Sequence, residues 1–116
     1  MTMSVLIVDD HTPFRTFAHS LLEAEGLEIA GEAADGNAAL VAAEELHPDV
    51  VLLDINLPTI DGFEVARRLA GASGLKIVLT SSRPASDYGA KISEAKVAGF
   101  LPKQELSGEA ILRLVS

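Results

Sequence analysis

Three carboxylates, a hydroxyl and an amine each stand at the end of a short apolar run in this chain. Val5-Leu6-Ile7-Val8 runs into Asp9-Asp10, and Val50-Val51-Leu52-Leu53 into Asp54. Ile77-Val78-Leu79 meets Thr80, and Gly99-Phe100-Leu101-Pro102 meets Lys103. In an open parallel sheet the carboxyl ends of the strands share one edge, where ligands bind. If all four runs are parallel strands, these side chains converge there. The set suits a metal-assisted transfer of a phosphoryl group to a side chain.

Taken singly, each residue has a plainer reading. Asp9-Asp10 could serve the dipole of a following helix. As a pair they also suit Mg²⁺, a hard cation that takes few protein oxygens and keeps water or phosphate as its other ligands. Neighbouring strand residues point to opposite sides, so one Asp can bind directly and the other through water, unless the strand end relaxes. Asp54 could be a solvated turn residue. Beside Asp9 and Asp10, however, its charge adds to a repulsion that a divalent cation would relieve, and a carboxylate can itself be the nucleophile that forms an aspartyl phosphate. Thr80 has the β propensity of a strand end and can also donate to a phosphoryl oxygen. Lys103 is a surface lysine or a point-charge phosphate ligand. His11, His19 and His47 lack metal-ligand spacing and receive no role. Phe100 is core, or a movable ring just before the edge.

The elements that must position these residues are legible from period and punctuation. A helix follows the first strand, with Thr12 as cap, Pro13 at its first position and Gly26 at its end. Phe14, Phe17, Ala18, Leu21 and Leu22 fall on one face of it. Residues 27–33 read as a second strand. Asp35-Gly36-Asn37 opens an Ala-rich helix that Pro48 stops. The third strand is apolar throughout, as a strand covered on both faces must be. Pro58 and Asp61-Gly62 lead into a third helix. A fourth strand spans 76–80, and Ser86 or Asp87 caps a fourth helix carrying Tyr88, Ile92 and Ala95, weakened by Gly89 within it by roughly 1 kcal/mol. A fifth strand, 99–101, precedes a last helix. Five βα units imply a doubly wound parallel sheet with right-handed crossovers and helices on both faces.

Composition narrows the function. The 116 residues make one domain, 1–116, able to bury a core without disulfide or structural metal. With no cysteine, thiol redox chemistry and thiolate metal sites are excluded. A net charge of −8 argues against this segment gripping nucleic acid. One Tyr and no Trp make a stacking surface for bases or flavins improbable. The N-terminus opens directly into a strand, with no basic or long apolar segment, so the expectation is a cytoplasmic chain without membrane contact.

The motif set, in this order, resembles the receiver domain of two-component response regulators: Asp9-Asp10, then Asp54-Ile55-Asn56-Leu57-Pro58 through Asp61-Gly62, then Thr80-Ser81, then Gly99-Phe100-Leu101-Pro102-Lys103. The resemblance spans almost the whole chain. It implies a flavodoxin-like strand order 2-1-3-4-5, an order the receivers of chemotaxis illustrate. It also implies that Asp54 is the phosphoacceptor. Asp10 would bind Mg²⁺ directly and Asp9 largely through water, with Asp54 and the backbone carbonyl of Asn56 as further ligands. Thr80 would follow the phosphoryl group, Phe100 would be the aromatic switch, and Lys103 would pair with the phosphoryl or, before modification, with Asp54. The implied partner is a histidine kinase or phosphotransfer protein, with a homodimer compatible. The pattern after the fifth strand is similar to that of regulators whose receiver precedes a helix-turn-helix output. Gln104 follows Lys103 where many receivers have proline, and Pro84 and Gly89 make the fourth helix less regular than usual.

Two other classes fit less well. A phosphatase of the haloacid-dehalogenase type also uses an aspartyl phosphate, but it needs a second carboxylate two residues on, where this chain has Asn56. A flavodoxin-like cofactor binder needs a phosphate-cradling loop after the first strand, where Asp9-Asp10-His11 would repel phosphate in the absence of metal. A receiver that is never phosphorylated is disfavoured because every motif residue is present.

Overall fold

Each apolar run becomes a strand, and alternation splits its side chains between two cores. The computed structural model describes residues 2–72 and 74–116. Five parallel strands, β1 (Ser4–Val8), β2 (Glu28–Ala33), β3 (Val50–Asp54), β4 (Lys76–Ser81) and β5 (Gly99–Pro102), lie in the order 2-1-3-4-5. Helices α1 (Thr12–Ala24) and α5 (Gly108–Val115) cover one face, where Val5, Ile7, Val50, Leu52 and Val78 meet Ala18, Leu22 and Ile111. On the other face Leu6, Val8, Val51, Leu53 and Leu79 pack against α2 (Gly36–Leu46) and α3 (Gly62–Leu69) through Ala39, Ala43, Val65 and Ala66. This is the flavodoxin-like, doubly wound sheet expected from the sequence. Both faces of β1, β3 and β4 are covered, which is why those strands read as unbroken apolar runs.

Three features differ from expectation. The cap of α1 is His11, whose side chain makes no capping bond; Thr12 is already helical, and its hydroxyl accepts from Arg15 at 3.2 Å. Phe17, placed on the apolar face of that helix, is 55% exposed. The largest change is the fourth helix. In its place a 3₁₀ turn, Ala85–Tyr88, is followed by a single helical turn, α4 (Lys91–Glu94). Gly89 between them adopts φ 58°, ψ −130°. That conformation is open to glycine and closed to most L residues, so Gly89 divides the helix rather than merely weakening it.

Glycine also fixes the approach of α3. A Cβ on Gly62 would lie 2.4 Å from the backbone oxygen of Asp54 and 2.7 Å from Ile55 Cα. Gly62→Ala is therefore expected to destabilise the protein by about 1–3 kcal/mol, as overpacking against backbone does. Urea denaturation measures this, and wild-type stability in the variant would show that the β3–α3 connection can shift.

Candidate functional site

The strand order brings the carboxyl ends of β1, β3 and β4 side by side, with β5 on their flank. Asp9 directly follows β1, Asp54 ends β3 and stands opposite Thr80 in the β3–β4 register, and Lys103 directly follows β5. Asp9, Asp54 and Thr80 are all buried, whereas Asp10 is partly open to solvent. Asp9, Asp10, His11 and Asp54 each bring a ligating atom within 4.8 Å of the others. The turn after β1 thus relaxes the strand alternation enough for both Asp9 and Asp10 to reach one point.

Local bonds hold this cluster in place. The backbone N–H of His11 donates to Asp9 Oδ1 at 2.8 Å, and that of Asn56 donates to Asp54 Oδ1 at 3.2 Å. Arg15 Nη1 donates to the backbone oxygen of Asp9 at 2.6 Å, tying α1 to the end of β1. The Ile55 N–H bonds Thr80 O at 3.0 Å, extending the ladder just past Asp54. The Thr80 hydroxyl is buried without a hydrogen-bond partner, which is unusual for a buried donor.

Lys103 lies within ion-pair distance of two carboxylates, Asp54 among them. Its ammonium is 2.6 Å from Asp9 Oδ2 but 3.6 Å from Asp54 Oδ2, so Asp9 is its nearer partner. The same ammonium stands 4.6 Å from the centre of the Phe14 ring, within cation–π range. The peptide bond between Lys103 and Gln104 is trans.

Electrostatics follow from that placement. Burial pushes the Asp54 carboxyl above the usual carboxylate range, and the neighbouring charge of Asp9 pushes it further. Lys103 and the Asn56 N–H pull the other way without cancelling the rise. A group whose ionised form is disfavoured, surrounded by other acids and one lysine, is suited to gaining a cation. The donor set is all hard oxygen apart from one imidazole, which fits a small divalent cation.

Three participants escaped the sequence reading. His11 was given no role, yet its Nδ1 lies 3.3 Å from Asp9 and 3.1 Å from Asp10; its place directly after the acidic pair was the available signal. Phe14 packs on the apolar face of α1, as its spacing predicts, and also backs the lysine. Tyr88 was placed on a helix and instead bonds Asn56 and Ser81. Phe100 is half-buried and packs into the core on the α2–α3 face.

Known proteins share both pattern and shape. The family model described as the response regulator receiver domain matches residues 5–115. A Pseudomonas aeruginosa protein named as a transcriptional regulator is 41% identical over 113 residues, 93% of this chain and 53% of the relative. The response regulator GacA of the same species is 36% identical over 103 residues, 87% of this chain and 48% of the relative. The chain thus spans about half the length of the curated relatives it matches. Among solved structures, a two-component response regulator of the LuxR family from Aurantimonas sp. SI85-9A1 superposes with a TM-score of 0.88 at 29% identity, covering 99% of this chain and 86% of that one.

Proposed function

This chain belongs to the response regulator receiver domain family, and from that membership we propose that residues 1–116 act as one phosphorylation switch with Asp54 as the acceptor. The observation that carries this reading is the buried Thr80 hydroxyl, lacking any partner and paired in register with Asp54. A phosphoryl group on Asp54 would supply the acceptor oxygens that hydroxyl lacks.

In the forward step a carboxylate oxygen of Asp54 attacks the phosphorus of a phosphohistidine on a kinase or phosphotransfer protein, or of a small acyl phosphate. The P–N or P–O bond breaks in line, releasing the imidazole or the carboxylate. Lys103, already 3.6 Å from Asp54, moves its charge from Asp9 toward the incoming oxygens. Asp10, Asp9, Asp54 and the Asn56 carbonyl would hold Mg²⁺, which when bound supplies charge neutralisation at the phosphoryl oxygens. In the reset step water attacks phosphorus, inorganic phosphate leaves, and Asp54 returns to a carboxylate. The domain turns over its own phosphoryl group and no metabolite.

The product carries about −1.5 to −2 charge. Thr80 moves toward it and Phe100 fills the vacated space, shifting the population of conformers at the face formed by α4, β5 and α5. That face would meet an output partner or a second copy. The relatives' names point to transcription as the response. Among the described residues no helix is long and apolar enough to cross a membrane.

The phosphatase alternative gains nothing from the site: the Asn56 amide, where that chemistry needs an acid, is engaged with Ser81 and Tyr88. Incubation with acetyl phosphate and Mg²⁺, followed by intact mass, is expected to show one added phosphoryl group. Asp54→Ala should abolish it. An adduct that persists in that variant removes Asp54 from the role.

A further inference from the structure

Tyr88 is the one tyrosine of the chain, and its hydroxyl is bonded to the site from outside. It lies 2.7 Å from Asn56 Nδ2 and 2.6 Å from Ser81 Oγ. The Ser81 hydroxyl also receives the Arg83 N–H at 2.9 Å and the Asn56 amide at 3.2 Å. Ser81 thus sits at the centre of three contacts, and either hydroxyl of the Ser81–Tyr88 pair can donate to the other. Tyr88 therefore accepts from Asn56 and shares a proton contact with Ser81.

The two residues it grips flank the chemistry. Asn56 donates its backbone N–H to Asp54, and Ser81 directly follows Thr80. The Tyr88 ring stands between Phe63, at 5.8 Å, and Phe100, at 6.5 Å. Its own segment is thinly held: residues 82–87 are exposed, α4 is one turn, and Gly89 supplies a hinge directly after the tyrosine.

We propose that Tyr88 is a positioning residue, a latch that holds the segment after β4 onto Asn56 and Ser81 in the unphosphorylated protein and must release for the switch to complete. Movement of Thr80 toward a phosphoryl group carries Ser81 with it and pulls against the Tyr88 hydroxyl that bonds both Ser81 and Asn56. Movement of Phe100 alters the ring contact as well. The latch thus weights the population toward the resting arrangement. This rests on Asp54 being the acceptor, a reading that the experiment below separates from it.

The test uses Tyr88→Phe, which keeps the ring and removes the hydroxyl, and Ser81→Ala, which removes its partner and leaves the tyrosine as a fluorescent reporter free of tryptophan background. With acetyl phosphate and Mg²⁺, initial phosphorylation of both variants is expected to be up to about tenfold faster than wild type, the fold-change of one net hydrogen bond. Hydrogen exchange over residues 82–95 should rise while the rest of the chain is unchanged. Tyrosine emission should change on phosphorylation of the wild type, and already stand changed in Ser81→Ala. A merely structural role would lower Tm without accelerating the reaction. Rates within twofold of wild type in both variants overturn the latch. If the wild type takes up no phosphoryl group, the acceptor reading fails, and exchange over 82–95 alone decides the latch: faster exchange supports it and unchanged exchange overturns it.

Discussion

Lys103→Met is expected to destabilise the metal-free protein by about 3 kcal/mol near neutral pH and to slow phosphorylation about a hundredfold or more. Lys103 Nζ is the cation within 4 Å of both Asp9 and Asp54 among the described residues. Asp9 is fully buried and Asp54 nearly so. Methionine keeps an apolar stem but removes the charge over the Phe14 ring and leaves two facing carboxylates without neutralisation. Removing one partner of a buried ion pair is more damaging than removing both, because the remaining charge is stranded. Two rescues should follow. Mg²⁺ should stabilise the variant more than the wild type, since it supplies the lost positive charge. Acid should do the same, because Asp54 without its lysine would take up a proton more readily still. Urea titrations with and without Mg²⁺ across a pH series measure both. Equal stability of variant and wild type in metal-free buffer would show that the lysine does not neutralise this pair.

Asp54→Asn is expected to act in the opposite direction on stability while abolishing phosphorylation. Burial and the charge of Asp9 make the ionised form of Asp54 unfavourable in the folded state. Asparagine removes that charge without stranding Lys103, whose nearer partner is Asp9 at 2.6 Å. A gain of about 1–2 kcal/mol, or roughly 5–10 °C in Tm, is the expected scale. The sign with pH follows from linkage. With the folded-state value raised, the contribution of Asp54 is fully favourable below the ordinary carboxylate range. It is lost as pH rises through the raised value, because the folded protein then gives up a proton it holds more tightly than the unfolded chain does. The advantage of the Asn variant should therefore be small in acid, grow across that window and level off above it. An advantage that shrinks with rising pH would contradict the cause assigned here. Such a site trades stability for function, since the crowding that destabilises it also readies it for a cation.

Much of this molecule is written in local pattern. Runs such as residues 50–53 could only be strands covered on both faces, and the helices between them fixed the doubly wound class. The helices begin where Asp35-Gly36-Asn37 and Asp61-Gly62 lead into them, and there Asp61 caps α3 through the Glu64 N–H and Asp35 caps α2 through the Ala38 N–H. Residues directly after the strands had to meet at one edge once the strands were parallel, so Asp9, Asp10, Asp54, Thr80 and Lys103 were legible as a set before any coordinates.

What the sequence could not supply is which members of that set touch. Chain order says that Lys103 follows β5, but only the packing of α1 against the sheet puts Phe14 beneath its ammonium and Asp9 nearer to it than Asp54. Propensity likewise foresaw a weak fourth helix. Gly89 completes the break, but only the folded chain shows the hydroxyl of Tyr88 bonding Asn56 and Ser81, residues 32 and 7 positions away. Periodicity and capping are short-range effects, set by neighbours along the chain, and a single sequence displays them. Ion pairing and side-chain hydrogen bonding are settled by distances of a few ångströms between distant segments, and those exist only after the sheet has closed on its helices.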